Sequence, residues 1–282
     1  QRHGKLPWAR VVEPAIRAAV DGFPMHTLLH KYTVMYIDRV KHSPTLARAL
    51  LDTKGAAHPI GATVRFPELG RTLTQVARRG ADGFYKGVVA EELARSNQEG
   101  GGIISTRDLF SYLVKARAAL SGSYYDYQLI SMPPPSSGGA VILQALKALE
   151  ATTLQSSPLN SADYLHPLVE ALKHAFADRA NIMGDPDFID VPIKRMLSAE
   201  RIKEVRASFD PKKTLPKDAY GGRYQATPDG GTSHFNVLDA HGNAIALTTT
   251  INTPFGSRFV AGFTGVLLNN EMDDFVTKPG VP

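Results

Sequence analysis

Cysteine is absent from all 282 residues, which excludes disulfides, thiolate metal sites and a cysteine nucleophile together. The compartment stays open, since secreted chains can also lack cysteine. Long hydrophobic runs are missing too. The longest, AVILQALKAL at 140–149, is too short for a bilayer and carries Gln144 and Lys147, so no transmembrane helix is written here. Nor is charge of one sign concentrated: 32 basic residues stand against 27 acidic ones, a net charge of +5. The densest basic patch, Lys212, Lys213 and Lys217, has no interleaved aromatics on which bases could stack, which argues against a nucleic-acid partner. No internal repeat is found.

What is present is ordinary globular composition, 43% hydrophobic and 21% charged, enough for a sizeable core in one large domain or at most two. The chain begins with neither an initiator methionine nor a signal peptide, and QRHGKLPWARVV runs almost directly into helix-like sequence, so it reads as a fragment or a processed chain. Periodicity predicts helices over 11–20, within 26–51, over 67–80 and over 84–96. STRD at 105–108 fits a capping box ahead of Leu109, Phe110 and Leu113. SGSYYDYQLISM at 121–132 is rich in strand formers and stops at three prolines. Ser136-Ser137-Gly138-Gly139 then opens an apolar helix to Glu150.

From Ser161 to Ala180, Leu165, Leu168, Val169, Leu172 and Phe176 make a stripe expected to face the core. His166, Glu170 and His174 share the other face; metal ligation is conceivable there, but a solvated polar face is the plainer reading. GDPDF at 184–188 is a turn. Over 212–231 the composition shifts to Lys, Pro, Gly and Asp, which predicts a mobile linker, and beyond it strands dominate.

In the last fifty residues Phe235 and Val237 alternate with polar neighbours, DAHGN supplies a turn at Gly242, and 244–251 forms a returning strand. Thr248 and Thr250 point to one face and Thr249 to the other; β-propensity alone accounts for a threonine-rich strand. A further strand is expected over 264–268. Just after it, Asn269, Asn270, Glu271, Asp273 and Asp274 form a polar cluster. It suits the head group of an amino acid, with an acid for the ammonium and amides for the rest, and it equally suits a solvated turn.

Four stretches combine into a known pattern: SMPPPSSGG (131–139), EALKHAFADRANIMGDPDF (170–188), TSHFNVLDAHGNAIALTTTINTPFGS (232–257) and GFTGVLLNNEMDDFVTKPGVP (262–282). With VVEPAIRAAVDGF and DLFSYLVKARAALSGSY they cover nearly the whole chain, which resembles the γ-glutamyltranspeptidase family. The resemblance implies an α+β fold of the N-terminal-nucleophile hydrolase type, a four-layer αββα sandwich incomplete in this fragment. It also implies a precursor that cuts itself at Gly231-Thr232. Residues 1–231 would then belong to the large subunit and 232–282 to the start of the small one, within one structural domain.

By the same resemblance Thr232 is the nucleophile and Thr250 its hydrogen-bonding partner, while Asn252, Glu271 and Asp274 hold the glutamyl α-carboxylate and α-ammonium. The donor would be glutathione or a related γ-glutamyl amide, and the acceptor water, an amino acid or a peptide. No metal or organic cofactor is implied. Family members are commonly periplasmic or secreted. The arginine for the substrate carboxylate and the serine and glycine pairs of the oxyanion hole are expected outside these 282 residues, so the chain alone is expected to be inactive. Cephalosporin acylases, poly-γ-glutamate transpeptidases and a noncatalytic binding homologue share the expected architecture and are the competing readings.

Overall fold

Val12, Ile16 and Ala19 recur at helical spacing, and in the computed structural model they line one side of α1 (Trp8–Val20), with Val12 and Ala19 buried. The structure describes residues 4–221 and 232–275, which fall into two compact units: 4–114 together with 232–275, and 115–221.

In the first unit β1 (Phe23–Pro24) pairs antiparallel with β2 (Thr63–Val64). Between them run α2 (Thr27–Met35), α3 (Ile37–Lys41) and α4 (Pro44–Leu50). Helix α4 and the next, α5 (Pro67–Arg79), both begin at a proline, where a missing amide proton costs nothing. The helix expected over 84–96 is two helices, α6 (Asp82–Tyr85) and α7 (Val88–Glu99). The break falls at Lys86, which is extended, and at Gly87, whose φ of 65° is open to a residue without Cβ. Helix α8 (Thr106–Ser111) has the predicted capping box: Ser105 Oγ accepts from the Asp108 amide, and Asp108 Oδ2 accepts from the Ser105 amide at 2.8 Å. It stops before Leu113, which is exposed along with Phe110.

In the second unit the strand-forming stretch is a hairpin, β3 (Leu120–Tyr124) against β4 (Tyr127–Ser131), turned at Tyr125-Asp126 with φ 48° at Tyr125, and β4 ends just before the three prolines as expected. Helices α9 (Gly138–Leu149), α10 (Ala162–Ile182), α11 (Ile193–Met196) and α12 (Ala199–Ala207) follow. Small residues on facing helices, Ala140, Ala145 and Ala148 with Ala171 and Ala175, let α9 and α10 approach closely in a core shared with Leu149, Met196 and Val205. Gln144, fully buried there, donates to Asp178 Oδ2 at 2.5 Å and to the Met196 carbonyl at 3.0 Å. Arg201 grips the same Asp178 through two hydrogen bonds of 2.8 and 2.9 Å.

Helix α10 is turned relative to the expected stripe. Glu170 and His174 are buried at 2% and 4% exposure, while Leu165, Val169 and Phe176 lie exposed; only Leu168 and Leu172 pack against the core. The reason is local: Ala171 and Ala175 share the face of Glu170 and His174, and their small side chains seat that face against its neighbours. The predicted linker is corrected in part as well. Residues 214–221 are tied down on α10, with Tyr220 buried in a short 3-10 turn (Lys217–Tyr220). The rest of that stretch, 222–231, lies outside the described residues.

The chain then rejoins the first unit. Strand β5 (Thr232–Leu238) pairs antiparallel with β6 (Ala244–Thr250) in the predicted hairpin, closed by Asp239, whose Oδ1 accepts from the His241 and Asn243 amides at 2.9 Å. Strands β7 (Val260–Ala261) and β8 (Val266–Leu267) form a smaller pair. The strand expected from Thr264 is thus shortened, because Thr264 closes a 3-10 turn that ends at Gly265 with φ 68°. Phe255, Val260 and Leu267 pack on Met25, Val40, Leu50 and Val64, and Phe259, Val266 and Leu268 pack on Val89 and Leu93. No helix among the described residues is long and apolar enough to cross a membrane.

Candidate active site

The antiparallel register of β5 and β6 sets Thr232 directly opposite Thr250. Thr232 is the first residue of one strand and Thr250 the last of the other, so both stand at the open end of the hairpin, remote from its turn. Side chains alternate faces along a strand, and paired residues share one face. Thr232, His234 and Asn236 therefore line one face with Thr250, Thr248 and Ala246, and Phe235 and Val237 line the other with Leu247 and Ile245.

The polar face is hydrogen-bonded along its length. Thr232 Oγ1 donates to Thr250 Oγ1 at 3.3 Å. His234 Nδ1 is 2.8 Å from Thr248 Oγ1, and its Nε2 is 3.2 Å from Asn236 Oδ1. Thr250 Oγ1 also accepts from the Asn252 amide at 2.8 Å. The Thr250 hydroxyl oxygen thus accepts from both the Thr232 hydroxyl and the Asn252 amide.

Asn252 takes φ 68°, in the left-handed region that asparagine tolerates better than most residues. The turn aims its side chain at the polar cluster, where Nδ2 donates to the Asn270 carbonyl at 3.0 Å. Asn270 is the hub: its Oδ1 accepts from the Thr253 amide at 3.2 Å and the Thr253 hydroxyl at 3.0 Å, and its Nδ2 donates to Asp273 Oδ2 at 2.6 Å. Glu271, Asp273 and Asp274 sit on one 3-10 turn (Glu271–Asp274). Glu271 is half-buried and its Oε1, shielded from solvent, has no hydrogen-bond partner among the described residues. A buried carboxylate oxygen without a donor is costly, and a ligand ammonium would satisfy it. Asp274 lies at the exposed end of the same turn.

Residues 255–268 hold this turn against the helices. Thr72 Oγ1 donates to the Thr264 carbonyl at 2.7 Å in a buried bond, and Glu92 Oε1 accepts the Phe263 amide at 3.3 Å. Gly262 is required where the chain passes Glu92: its φ is 47°, and a Cβ there would lie 1.7 Å from Glu92 Oε1. Burial opposes ionisation of Glu92, but hydrogen bonds from Arg95, Phe263 and Ser96 outweigh it and hold the carboxyl below its usual range.

Of the residues singled out from the sequence, Thr232, Thr250 and Asn252 are thus linked directly, and Asn252 reaches the segment of Glu271 and Asp274 through Asn270. Gly231 lies outside the described residues. Thr248 lies on the face of Thr250 as expected, whereas the connecting role of Asn270 and the placement of His234 beside Thr248 were missed. Period-two counting from Thr232 would have found His234, whereas nothing local marks Asn270 as a hub.

The gamma-glutamyltranspeptidase family matches residues 1–282. The glutathione hydrolase proenzyme of Escherichia coli (strain K12) is 39% identical over 282 residues, covering 100% of this chain and 49% of that protein. The crystal structure of Helicobacter pylori gamma-glutamyltranspeptidase superposes with a TM-score of 0.74 at 29% identity, over 80% of this chain and 66% of that one. That of cephalosporin acylase from Bacillus halodurans gives 0.85 at 26% identity, over 99% of this chain and 51% of that one. The chain spans about half the length of the curated relatives it matches. A match from the first residue to the last, joined to 39% identity across the same span, establishes that this chain belongs to the γ-glutamyltranspeptidase family.

Proposed function

We propose that the protein containing this chain transfers γ-glutamyl groups from glutathione and related amides to water, amino acids or peptides, with Thr232 as nucleophile. The observation that carries the reading is the hydroxyl pair at the head of β5, where Thr232 Oγ1 donates to a Thr250 Oγ1 that is itself held by the Asn252 amide.

In the first step Thr232 Oγ1 attacks the Gly231 carbonyl carbon, and the acyl group moves from nitrogen to oxygen. Water then hydrolyses the ester, releasing the Gly231 carboxylate and a threonine with a free α-amine. The same cleavage divides the large subunit, ending at 231, from the small one, and completes an N-terminal-nucleophile fold of αββα layers. An α-amine of pKa about 7.7–8.0 is a competent base near neutrality, whereas a threonine hydroxyl alone is a weak nucleophile. In turnover this amine takes the hydroxyl proton as Oγ1 attacks the donor γ-carbonyl. The leaving amine departs with a proton, and water or an acceptor amine then attacks the γ-glutamyl ester and restores the hydroxyl.

Asp274 and the unpartnered Glu271 oxygen face the donor α-ammonium, and Asn252 orients the α-carboxylate. Low dielectric in a sheltered pocket strengthens the charge pairing. Export to the periplasm or the cell exterior suits enzymes of this class and is part of the proposal. Mass spectrometry of the full-length protein tests it: a fragment starting at Thr232, absent from Thr232→Ala, is expected, together with release of p-nitroaniline from γ-glutamyl-p-nitroanilide. An uncut, inactive wild type overturns it.

The superposition on a cephalosporin acylase over 99% of the chain favours a second reading, an acylase for amides without an α-ammonium. Preference of the full-length enzyme for glutaryl over γ-glutamyl anilides would select it and remove Asp274 from its role.

A further inference from the structure

Among the described residues of the first unit, the non-glycine positions with positive φ all fall just after β6: Asn252 at 68°, Phe255 at 63° and Arg258 at 62°, with Gly256 at 50°. Asparagine tolerates that region. Phenylalanine and arginine adopt it only at a cost, and such a backbone persists where its surroundings over-determine it. At its far end the segment is closed on the residue after β8. The Ser257 amide donates to the Leu268 carbonyl and the Leu268 amide to the Phe259 carbonyl, both at 2.9 Å. The two backbones run so close that a Cβ at Gly256 would lie 2.3 Å from the Leu268 carbonyl oxygen.

At its near end the segment is held by Asn270. Both polar atoms of that side chain are engaged: Oδ1 accepts from the Thr253 amide at 3.2 Å and the Thr253 hydroxyl at 3.0 Å, and Nδ2 donates to Asp273 Oδ2 at 2.6 Å. The backbone carbonyl is engaged twice more, accepting from Asn252 Nδ2 and from the Asp273 amide, each at 3.0 Å. One residue thus touches both halves of the candidate site, the end of β6 that carries Asn252 and the 3-10 turn that carries Glu271 and Asp274. The same bonds sort the acids of that turn. Asp273 is occupied within the protein, whereas Glu271 Oε1 has no partner among the described residues.

We propose that Asn270 is a positioning residue for the donor: through Thr253 and Asp273 it sets the spacing between Asn252, which takes the α-carboxylate, and Glu271 and Asp274, which take the α-ammonium. Asp273 is its anchor and not a ligand of the ammonium. The inference rests on the reading of the site as one for a γ-glutamyl head group. Carboxylate and ammonium hang from a single carbon, so their partners must keep a fixed separation. A drift of about 1 Å stretches a hydrogen bond from about 2.9 Å to about 3.9 Å, beyond bonding range. Head-group contacts are made in the ground state and the transition state alike, so their loss appears in KM.

The test uses the full-length, self-cleaved enzyme with Asn270→Ala, with Asn270→Asp, and with Asn270→Asp combined with Asp273→Asn, and γ-glutamyl-p-nitroanilide as donor. Mass spectrometry of the chain beginning at Thr232 gives the amount of cleaved enzyme in each preparation. Asn270→Ala removes the side-chain bonds to Thr253 and Asp273, and KM is expected to rise about tenfold or more while kcat per cleaved enzyme stays within about threefold. Asn270→Asp keeps the acceptor for Thr253 but sets a second carboxylate against Asp273, and two such charges in contact repel, so a similar rise in KM is expected near neutrality. Adding Asp273→Asn restores donor and acceptor in exchanged order and is expected to return KM to within about threefold of wild type. A residue that served stability alone would lower the thermal midpoint and leave KM in place. The exchanged pair keeps the test open where Asn270→Ala fails to fold. A KM within about twofold of wild type for Asn270→Ala or Asn270→Asp, a loss confined to kcat, or a defect of Asn270→Asp that Asp273→Asn leaves uncorrected overturns the inference. A wild type that neither cleaves at 231–232 nor releases p-nitroaniline overturns the proposed function instead.

Discussion

Replacing Glu170 by glutamine removes a charge and keeps the shape, and its cost follows from the surroundings of the carboxylate. Burial disfavours the ionised form, but hydrogen bonds from Lys173, Thr214 and Tyr220, with the Lys173 charge, win and bring the pKa from 4.5 to about 2. At about 1.4 kcal/mol per pH unit, that displacement corresponds to roughly 3 kcal/mol of stabilisation near neutrality. The folded value lies below the unfolded one, so this stabilisation is present in full above about pH 4.5 and drains away as pH falls toward 2. At pH 3 roughly 1.5 kcal/mol should remain. Other carboxyls with lowered values titrate in wild type and variant alike, so the difference between the two isolates Glu170. The assay is native-state hydrogen exchange on peptides covering 162–182, in full-length protein held uncut by Thr232→Ala, with and without Glu170→Gln. The opening free energies should differ by roughly 3 kcal/mol at pH 7 and by about half that at pH 3. A gap below about 1 kcal/mol at pH 7, or one that does not change between the two pH values, refutes the reasoning.

Thr250→Val removes the partner of the Thr232 hydroxyl and the acceptor of the Asn252 amide, and kcat/KM for γ-glutamyl-p-nitroanilide should fall about a hundredfold; a loss under threefold would count against the pair. Asp274→Asn should raise KM for γ-glutamyl anilides about tenfold or more and leave that for glutaryl anilides within twofold, as measured by initial rates. Gly262→Ala forces a Cβ against Glu92 and should cost about 2–4 kcal/mol, read as a lowered thermal midpoint, with KM rising as the 269–274 turn shifts.

Legibility of the fold tracked the range of the interactions. The capping box at Ser105 and Asp108 and the hairpin turn at Gly242 are set by neighbours in sequence, and both were read correctly. In the β3–β4 stretch the strand formers and the stop before Pro133 were legible but the fold back was not, because its two-residue turn, Tyr125-Asp126, sets one turn former among tyrosines and has no glycine. On α10 periodicity placed Leu168 and Leu172 against the core correctly but missed that Glu170 and His174 are buried while Leu165, Val169 and Phe176 are exposed. The partners that make Glu170 a buried residue, Thr214 and Tyr220, lie 44 and 50 positions away, and no local pattern announces them. At the site, the opposition of Thr232 and Thr250 followed from the hairpin once its turn was known. The Asn252–Asn270 contact joins the ends of a segment whose path depends on packing against α5 and α7, which composition does not encode.

Loops between paired strands are ordinarily where chains absorb insertions and deletions most freely. The 239–243 loop should be an exception. Seven residue pairs, about 20 Å of ladder at roughly 3.3 Å per residue, carry its geometry to Thr232. Because side chains alternate, a loop one residue longer or shorter, if it shifts the ladder by one step, breaks the match of the Thr232 and Thr250 faces. The distal tip of the hairpin therefore works as a gauge for the end that carries Thr232 and Thr250, and on the proposed function length variation there should be selected against as strongly as changes to the threonine itself.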